Sequence, residues 1–171
     1  MLLRHAKTER PRQNTRDYDR KLTKRGRNNA RAVATYMVQY CLVPDQVIAS
    51  PARRAQETWA ALANTFGEGP KVIVDERIYD ATAEQVVDVI CKAGGTRSLL
   101  VVGHNPSLHD LAVQLIKSGD IEMRERISEN LPTSGLVVID LPIESWSQLH
   151  QHPQAGPLRR FISPRLIAET N

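Results

Sequence analysis

Two histidines in this 171-residue chain stand where chemistry is possible. His5 follows Arg4 at the end of a short apolar run, and His104 lies in Gly103-His104-Asn105 at the end of a longer one. A third apolar run closes in Ser50-Pro51-Ala52-Arg53-Arg54. If these three ends converge, two imidazoles and several guanidiniums share one pocket, with no lysine or carboxylate at those ends to neutralise them. Arginine forks match phosphate oxygens through charge-assisted, often bidentate hydrogen bonds. A neutral imidazole nitrogen is a competent nucleophile toward phosphorus, forming a covalent intermediate that water later cleaves. Arginines and a second, protonated histidine would offset the charge on the transferring group, and positioning with electrostatics supplies most of the catalysis in such a transfer. Taken singly, a histidine of this kind is more often a satisfied structural residue, and an arginine pair a solvated face. Their repeated placement at run ends raises the phosphoryl reading.

The elements that must position them alternate. Leu2-Leu3 reads as the tail of a short buried strand, and residues 8–21, without apolar periodicity, as a loop. Thr23 is a candidate N-cap for a helix to about Tyr40, with Ala30, Val33, Met37 and Cys41 on one face. Val47–Ala49 reads as a strand, Ala52–Phe66 as a helix, Val72–Val74 as a strand and Ala83–Ala93 as a helix. Leu99–Val102 is the strongest strand signal, followed by a helix over Ser107–Lys117, a strand over Leu136–Leu141 and an edge strand near Leu158–Ile162. Strands alternating with helices of this length predict a single α/β domain over residues 1–171. Its mostly parallel central sheet carries helices on both faces, a three-layer sandwich. In such a sheet, ligands bind outside the carboxyl ends of the strands.

Composition bounds the rest. The charge of +4 hides an asymmetry: residues 1–31 carry eleven Lys and Arg against three Asp and Glu, an excess of +8. An anionic partner follows from that, whether nucleic acid, an acidic surface or a phosphorylated ligand, against the bland alternative of a solvated basic loop. Tyr18 is the only aromatic before Tyr36, so base stacking on single strands has little support. Two cysteines exclude a disulfide scaffold or a four-cysteine metal site, and Cys41 and Cys91 read as core residues on apolar helix faces. His5, His104 and His109 do not match metal-ligand spacing, and neighbouring arginines would repel a cation, so neither metal nor other cofactor is called for. His150 and His152 fall in a proline-bearing tail and read as surface residues. No apolar run nears the roughly 20 residues of a membrane span, and charge at the fourth residue does not fit a secretory signal. The expectation is a soluble, cytoplasmic monomer.

Four segments carry a resemblance. Leu2-Leu3-Arg4-His5-Ala6-Lys7 resembles the opening signature of the histidine phosphatase superfamily, the group that includes phosphoglycerate mutases and acid phosphatases. Asp19-Arg20-Lys21-Leu22-Thr23-Lys24-Arg25-Gly26, Ser50-Pro51-Ala52-Arg53-Arg54-Ala55-Gln56-Glu57-Thr58 and Val102-Gly103-His104-Asn105-Pro106 are similar to its next three blocks, in the same order. The spacing, the small size and Leu131-Pro132-Thr133 before the last main strand resemble the SixA-type phosphohistidine phosphatase branch.

The resemblance implies a phosphoglycerate mutase-like fold and a metal-independent phosphatase acting through a phosphohistidine intermediate. By it, His5 is the nucleophile, Arg4 and Arg54 hold the phosphoryl oxygens, and His104 is the second pocket histidine. Arg20 is a further phosphate ligand, Arg53 an outward neighbour, Ser50 and Asn105 turn formers, and Gly26 a close-packing position. The substrate would be a phosphorylated protein, with phosphohistidine as one candidate, or a small phosphorylated metabolite; a non-catalytic phosphate-binding module is the reading from another class.

Two departures from the family pattern matter. Only Met1-Leu2-Leu3 precedes Arg4, and an interior strand that short would leave its neighbours' backbone groups unpaired. The carboxylate that mutase-like relatives supply after the third strand has no motif match among Asp75, Glu76 and Asp80, which leaves Glu76, Asp80 or water as the acid. An alkoxide leaving group needs a proton, and general acid help is worth about 10²–10⁴-fold. A labile phosphoramidate whose imidazole is already protonated needs it less, which favours phosphohistidine over alkyl phosphates.

Overall fold

The short run before His5 becomes the middle of a sheet rather than its margin. The computed structural model describes residues 1–11, 13, 15–67, 69–151 and 156–170; His152, read above as a surface residue, lies outside these. In chain order the strands and helices are β1 (Leu2–Arg4), α1 (Lys24–Gln39), β2 (Gln46–Ala49), α2 (Arg53–Phe66), β3 (Lys71–Val74), α3 (Ala83–Ile90) and β4 (Leu99–Gly103). There follow α4 (Ser107–Leu115), β5 (Ile116–Ser118), α5 (Ile121–Glu129), β6 (Leu136–Ile139), β7 (Gly156–Ile162) and α6 (Pro164–Thr170). The strand order is β3-β2-β4-β1-β6-β7-β5. The pairs β3–β2, β2–β4, β4–β1 and β7–β5 are parallel, while β1–β6 and β6–β7 are antiparallel.

Side-chain alternation along the strands divides the core into two. Leu2, Ile48, Val101 and Val137 face a cluster built with α3, α4 and α5, whereas Leu3, Val47, Leu100, Val102 and Leu136 face α1 and α2. This is the expected three-layer, mostly parallel α/β sandwich. The brevity of β1 leaves little unpaired. Leu2 opposes Val101 on one side and Val137 on the other, Val101 donates to the Met1 carbonyl, and Arg4 donates to the Gly135 carbonyl. Burying each leucine adds about 1.5–3 kcal/mol, enough to hold a three-residue strand between two bonded neighbours.

Helix ends follow local chemistry. Thr23 caps α1 by accepting from the Gly26 amide, and Thr82 and Gln85 form a reciprocal capping box on α3. The α1 C-terminus closes with Leu42 donating to the Met37 carbonyl and Cys41 to that of Val38, a Schellman pattern with Cys41 at φ 53. Cys41 is therefore exposed past the helix end rather than packed on its apolar face, and Cys91 is half-buried at the end of α3.

Other boundaries also shift. The α3 helix stops at Ile90 because Lys92 and Ala93 tighten onto the Val89 and Ile90 carbonyls before Gly94. The α4 helix stops at Leu115 because Ile116 is drawn into pairing with Gly156. That unforeseen strand β5 covers β7, which is consequently interior and not an edge.

Candidate active site

The register Arg4↔Gly103 sets the site, because it brings the residues that follow β1 and β4 side by side. His5 donates its amide to the Gly103 carbonyl at 3.0 Å, and the His5 and His104 rings lie 5.2 Å apart, both buried. The adjacent strand β2 pairs with β4 so that Ser50 donates its amide to the Val102 carbonyl, and α2 starts three residues later. Its second residue, Arg54, reaches His104. The three strand ends converge, which meets the condition on which the sequence reading rested.

The protonation of His5 is fixed by its neighbours. Its Nδ1 lies 2.8 Å from the Ala6 carbonyl, an acceptor only, so Nδ1 carries the proton and donates, and Nε2 keeps its lone pair. Burial, with help from Arg54, Arg4 and Arg20, pushes the imidazole down to about 4, so it is neutral at physiological pH. The segment just after His5 is anchored by Thr58, whose hydroxyl accepts from the Ala6 amide and donates to the Arg54 carbonyl one helical turn back.

His104 departs from expectation. Its Nδ1 accepts from Arg54 Nε at 3.2 Å, and its Nε2 lies 2.7 Å from Ser50 Oγ. Burial first and Arg54 second push it down to about 3. A second, protonated imidazole is thus not what the site holds: a cation would have to donate from Nδ1 into a guanidinium that also donates. Ser50 orients this ring, a role beyond turn formation. Asn105 bridges to the Leu131 carbonyl, which also accepts from Arg4 Nη1. Arg4 Nε is buried with no hydrogen-bond partner among the described residues.

The remaining sequence candidates fall into place. Arg53 pairs with Glu57 at 2.8 Å on the half-exposed flank, and Gly26 packs so closely on Lys7 that a Cβ would overlap the Lys7 carbonyl. Arg20 comes to the cleft through Asp17, whose carboxylate meets Arg20 Nη1 at 2.9 Å and Arg54 Nη2 at 2.8 Å. The Arg20 hydrogen bond first, and Arg54 as well, hold the Asp17 carboxyl below its usual range. Asp17 was not singled out from sequence, and it places a carboxylate in a pocket expected to have none. Its signal was the three-residue step to Arg20, the spacing that a 3-10 turn over Asp17–Asp19 brings together.

After β3, Asp75 is engaged by Arg77 at 2.6 Å, and Glu76 is exposed on the turn Glu76–Ile78, away from the cleft lining. Asp80, at φ 52, does line the cleft, a cavity of about 180 Å³ shared with Asp17, Arg54, Tyr79, His104 and Asn105. Tyr79, also missed, sets its ring edge-on to His104 at 5.6 Å and to Tyr18 at 5.1 Å. His109 bonds the Ile127 carbonyl, and no group of three or more metal-ligating side chains forms among the described residues. A larger cavity of about 600 Å³ opens beside Met1, Gly95 and Asp140, away from both histidines.

The sequence profile described as histidine phosphatase superfamily, branch 1, matches residues 1–83. In a crystal structure assigned to the phosphohistidine phosphatase SixA of Agrobacterium tumefaciens the same fold recurs at TM-score 0.80 and 27% identity, covering 95% of this chain and 96% of that one. The chain belongs to the histidine phosphatase superfamily. An uncharacterized protein of Mycobacterium tuberculosis is 37% identical over 166 residues, covering 95% of this chain and all of its own length. A protein histidine phosphatase SixA complexed with tungstate shares the fold at TM-score 0.75 and 20% identity, over 97% of both chains. Superfamily membership and SixA-type architecture support a phosphatase, a hydrolase acting on phosphorylated substrates. Among the described residues, no helix is long and apolar enough to cross a membrane.

Proposed function

We propose that this histidine phosphatase hydrolyses phosphohistidine on a signalling protein through a covalent intermediate on His5. The observation that carries the reading is the free lone pair on His5 Nε2, held neutral inside a cluster of guanidiniums. Nε2 attacks phosphorus as the substrate's leaving nitrogen departs. Water then attacks the phosphorylated His5, releasing inorganic phosphate and restoring the ring. Arg4 together with Arg54 and Arg20 takes the phosphoryl oxygens. His104 stays neutral, its Nδ1 accepting from Arg54 Nε and so aiming that guanidinium. No metal enters the scheme.

The leaving group is argued from the carboxylates. Asp17 is held ionised by two arginines, Asp75 by Arg77, and Glu76 stands outside the cleft, so none of these is a ready proton donor. Among the described residues, Asp80 is the one remaining carboxylate at the cleft wall. A phosphorylated imidazole that carries its own proton departs as a neutral ring and needs no such donor.

The test uses chelator-treated protein, a histidine-phosphorylated protein and an aryl phosphate, with wild type, His5→Ala and Asp80→Asn. Expected are turnover of the phosphohistidine substrate, radiolabel trapped on wild type but not on His5→Ala, and little loss in Asp80→Asn. Faster turnover of the aryl phosphate, with a loss of 100-fold or more in Asp80→Asn, would assign the site to a small phosphorylated metabolite instead.

A further inference from the structure

Arg54 in the cleft wall and Arg20 behind Asp17 are already bridged by one anion, and that anion belongs to the chain. Arg54 directs Nε to His104 Nδ1 at 3.2 Å, Nη1 to the Asp17 backbone carbonyl at 2.6 Å and Nη2 to Asp17 Oδ2 at 2.8 Å. Arg20 directs Nη1 to Asp17 Oδ1 at 2.9 Å, Nη2 to Thr8 Oγ1 at 2.6 Å and to the Glu9 carbonyl at 2.9 Å, and Nε to that carbonyl at 3.3 Å. Each oxygen of one carboxylate therefore sits on a different guanidinium, as two oxygens of a phosphoryl group would. Neither two-toothed face of Arg54 is free: the Nη1–Nη2 edge holds Asp17, and the Nε–Nη2 edge is shared between His104 and Asp17. A phosphoryl oxygen that is to gain this fork must take the place of Asp17.

The two partners differ in how easily they part. The Arg54 side chain is 8% exposed and the Asp17 side chain 55%. The guanidinium is fixed in the wall, while the carboxylate reaches in from solvent and can return there with little desolvation cost. The turn Asp17–Asp19 has no side-chain cap at Arg16 and buries none of its own residues. Tyr79 adds only a long contact, its hydroxyl 3.5 Å from Asp17 Oδ2.

We propose that Asp17 is a built-in stand-in for the phosphoryl group, an autoinhibitory plug that incoming phosphate must displace and that helps to expel product phosphate by returning. This rests on the assignment of Arg54 and Arg20 as phosphoryl ligands. In the resting state the plug keeps a buried guanidinium from standing uncompensated. A phosphoryl dianion carries more charge than the carboxylate and competes for the same donors, so displacement is favoured while a phosphoryl group is held in the pocket and reversed as it dissociates and its local concentration falls.

The experiment is calorimetric titration of inorganic phosphate into the full chain, as wild type, Asp17→Asn and Asp17→Ala, with hydrogen exchange followed over residues 15–20. Asp17→Asn and Asp17→Ala are expected to bind phosphate about tenfold more tightly than wild type, the gain from removing one charged competitor for charge-assisted donors. Phosphate is expected to raise amide exchange over the turn in wild type, and the variants to exchange fast without it. Unchanged or weaker phosphate binding in both variants overturns the proposal and makes Asp17 a brace for Arg54. Tighter binding in variants of a protein whose wild type hydrolyses nothing leaves the plug standing and removes the catalytic reading. Hydrolysis with no gain in phosphate affinity removes the plug alone.

Discussion

Holding two histidines neutral inside the fold makes stability depend on pH in a calculable way. His5 is pushed down to about 4 and His104 to about 3, against an ordinary value near 6.5. A group whose pKa is depressed on folding takes its proton first in the unfolded chain. Its contribution is therefore complete above about pH 6.5 and is lost as pH falls from there toward 4 for His5 and 3 for His104. Between pH 7 and pH 5 the linkage integral gives a loss of about 2 kcal/mol for each ring, and up to about 4 kcal/mol for both. That is a large share of the roughly 5–15 kcal/mol that holds a domain of this size together. Protonating His104 also turns Nδ1 into a donor facing Arg54 Nε, which removes a buried hydrogen bond.

The assay is urea unfolding at pH 7 and pH 5 of wild type and of the doubly substituted His5→Gln, His104→Gln protein. With a slope of about 2 kcal/mol per molar urea, the wild-type midpoint should fall by roughly 1–2 M more than that of the variant. Every other titrating group is common to both proteins and cancels in the difference. Equal losses in the two proteins would refute the argument, because they would show that neither ring is kept from its proton by the fold.

Two further outcomes follow from packing. Gly26→Ala should gain about 1 kcal/mol of helix propensity and lose more to overlap with the Lys7 carbonyl, which already accepts from the Thr23 amide at 2.9 Å; a net fall of about 1–2 kcal/mol by urea unfolding is expected, and a more stable variant would contradict the close approach. Ser50→Ala leaves His104 Nε2 without its partner in a buried site, so stability should fall by about 1–3 kcal/mol, whereas an unchanged midpoint would mean the hydroxyl does not hold the ring.

The parts of the site legible in the sequence were those tied to local pattern. Apolar runs ending in Arg4-His5, Ser50 and Gly103-His104 mark strand ends, and a parallel sheet brings such ends together whatever the details of its loops. Thr23 as a cap was legible for the same reason, since it acts within the first turn of a helix, whereas Gly26 as a close contact came through the family resemblance, its partner Lys7 lying nineteen residues earlier. The strand β5 was not legible: Ile116–Ser118 continues the apolar pattern of α4, and only pairing with a segment some forty residues later makes it extended. The α5 helix, begun by Asp120 accepting from the Met123 amide, has a weak apolar face with Ile127 alone fully buried, so periodicity gave no sign of it.

Asp17 and the charge state of His104 were hidden for other reasons. Charge counted along the chain makes residues 1–31 a basic excess open to any anion, and charge counted in space does not. The loop folds its own carboxylate back onto Arg20 and Arg54, while His104 is governed by its burial first and by Arg54 second. A guanidinium donating to Nδ1 then requires a neutral ring, where composition alone pointed to a protonated one. The two misreadings have different causes: Asp17, three residues from Arg20 in sequence and thirty-seven from Arg54, closes the site only once the fold brings Arg54 to it, whereas His104 is neutral through burial and Arg54, against the pull of Asp17.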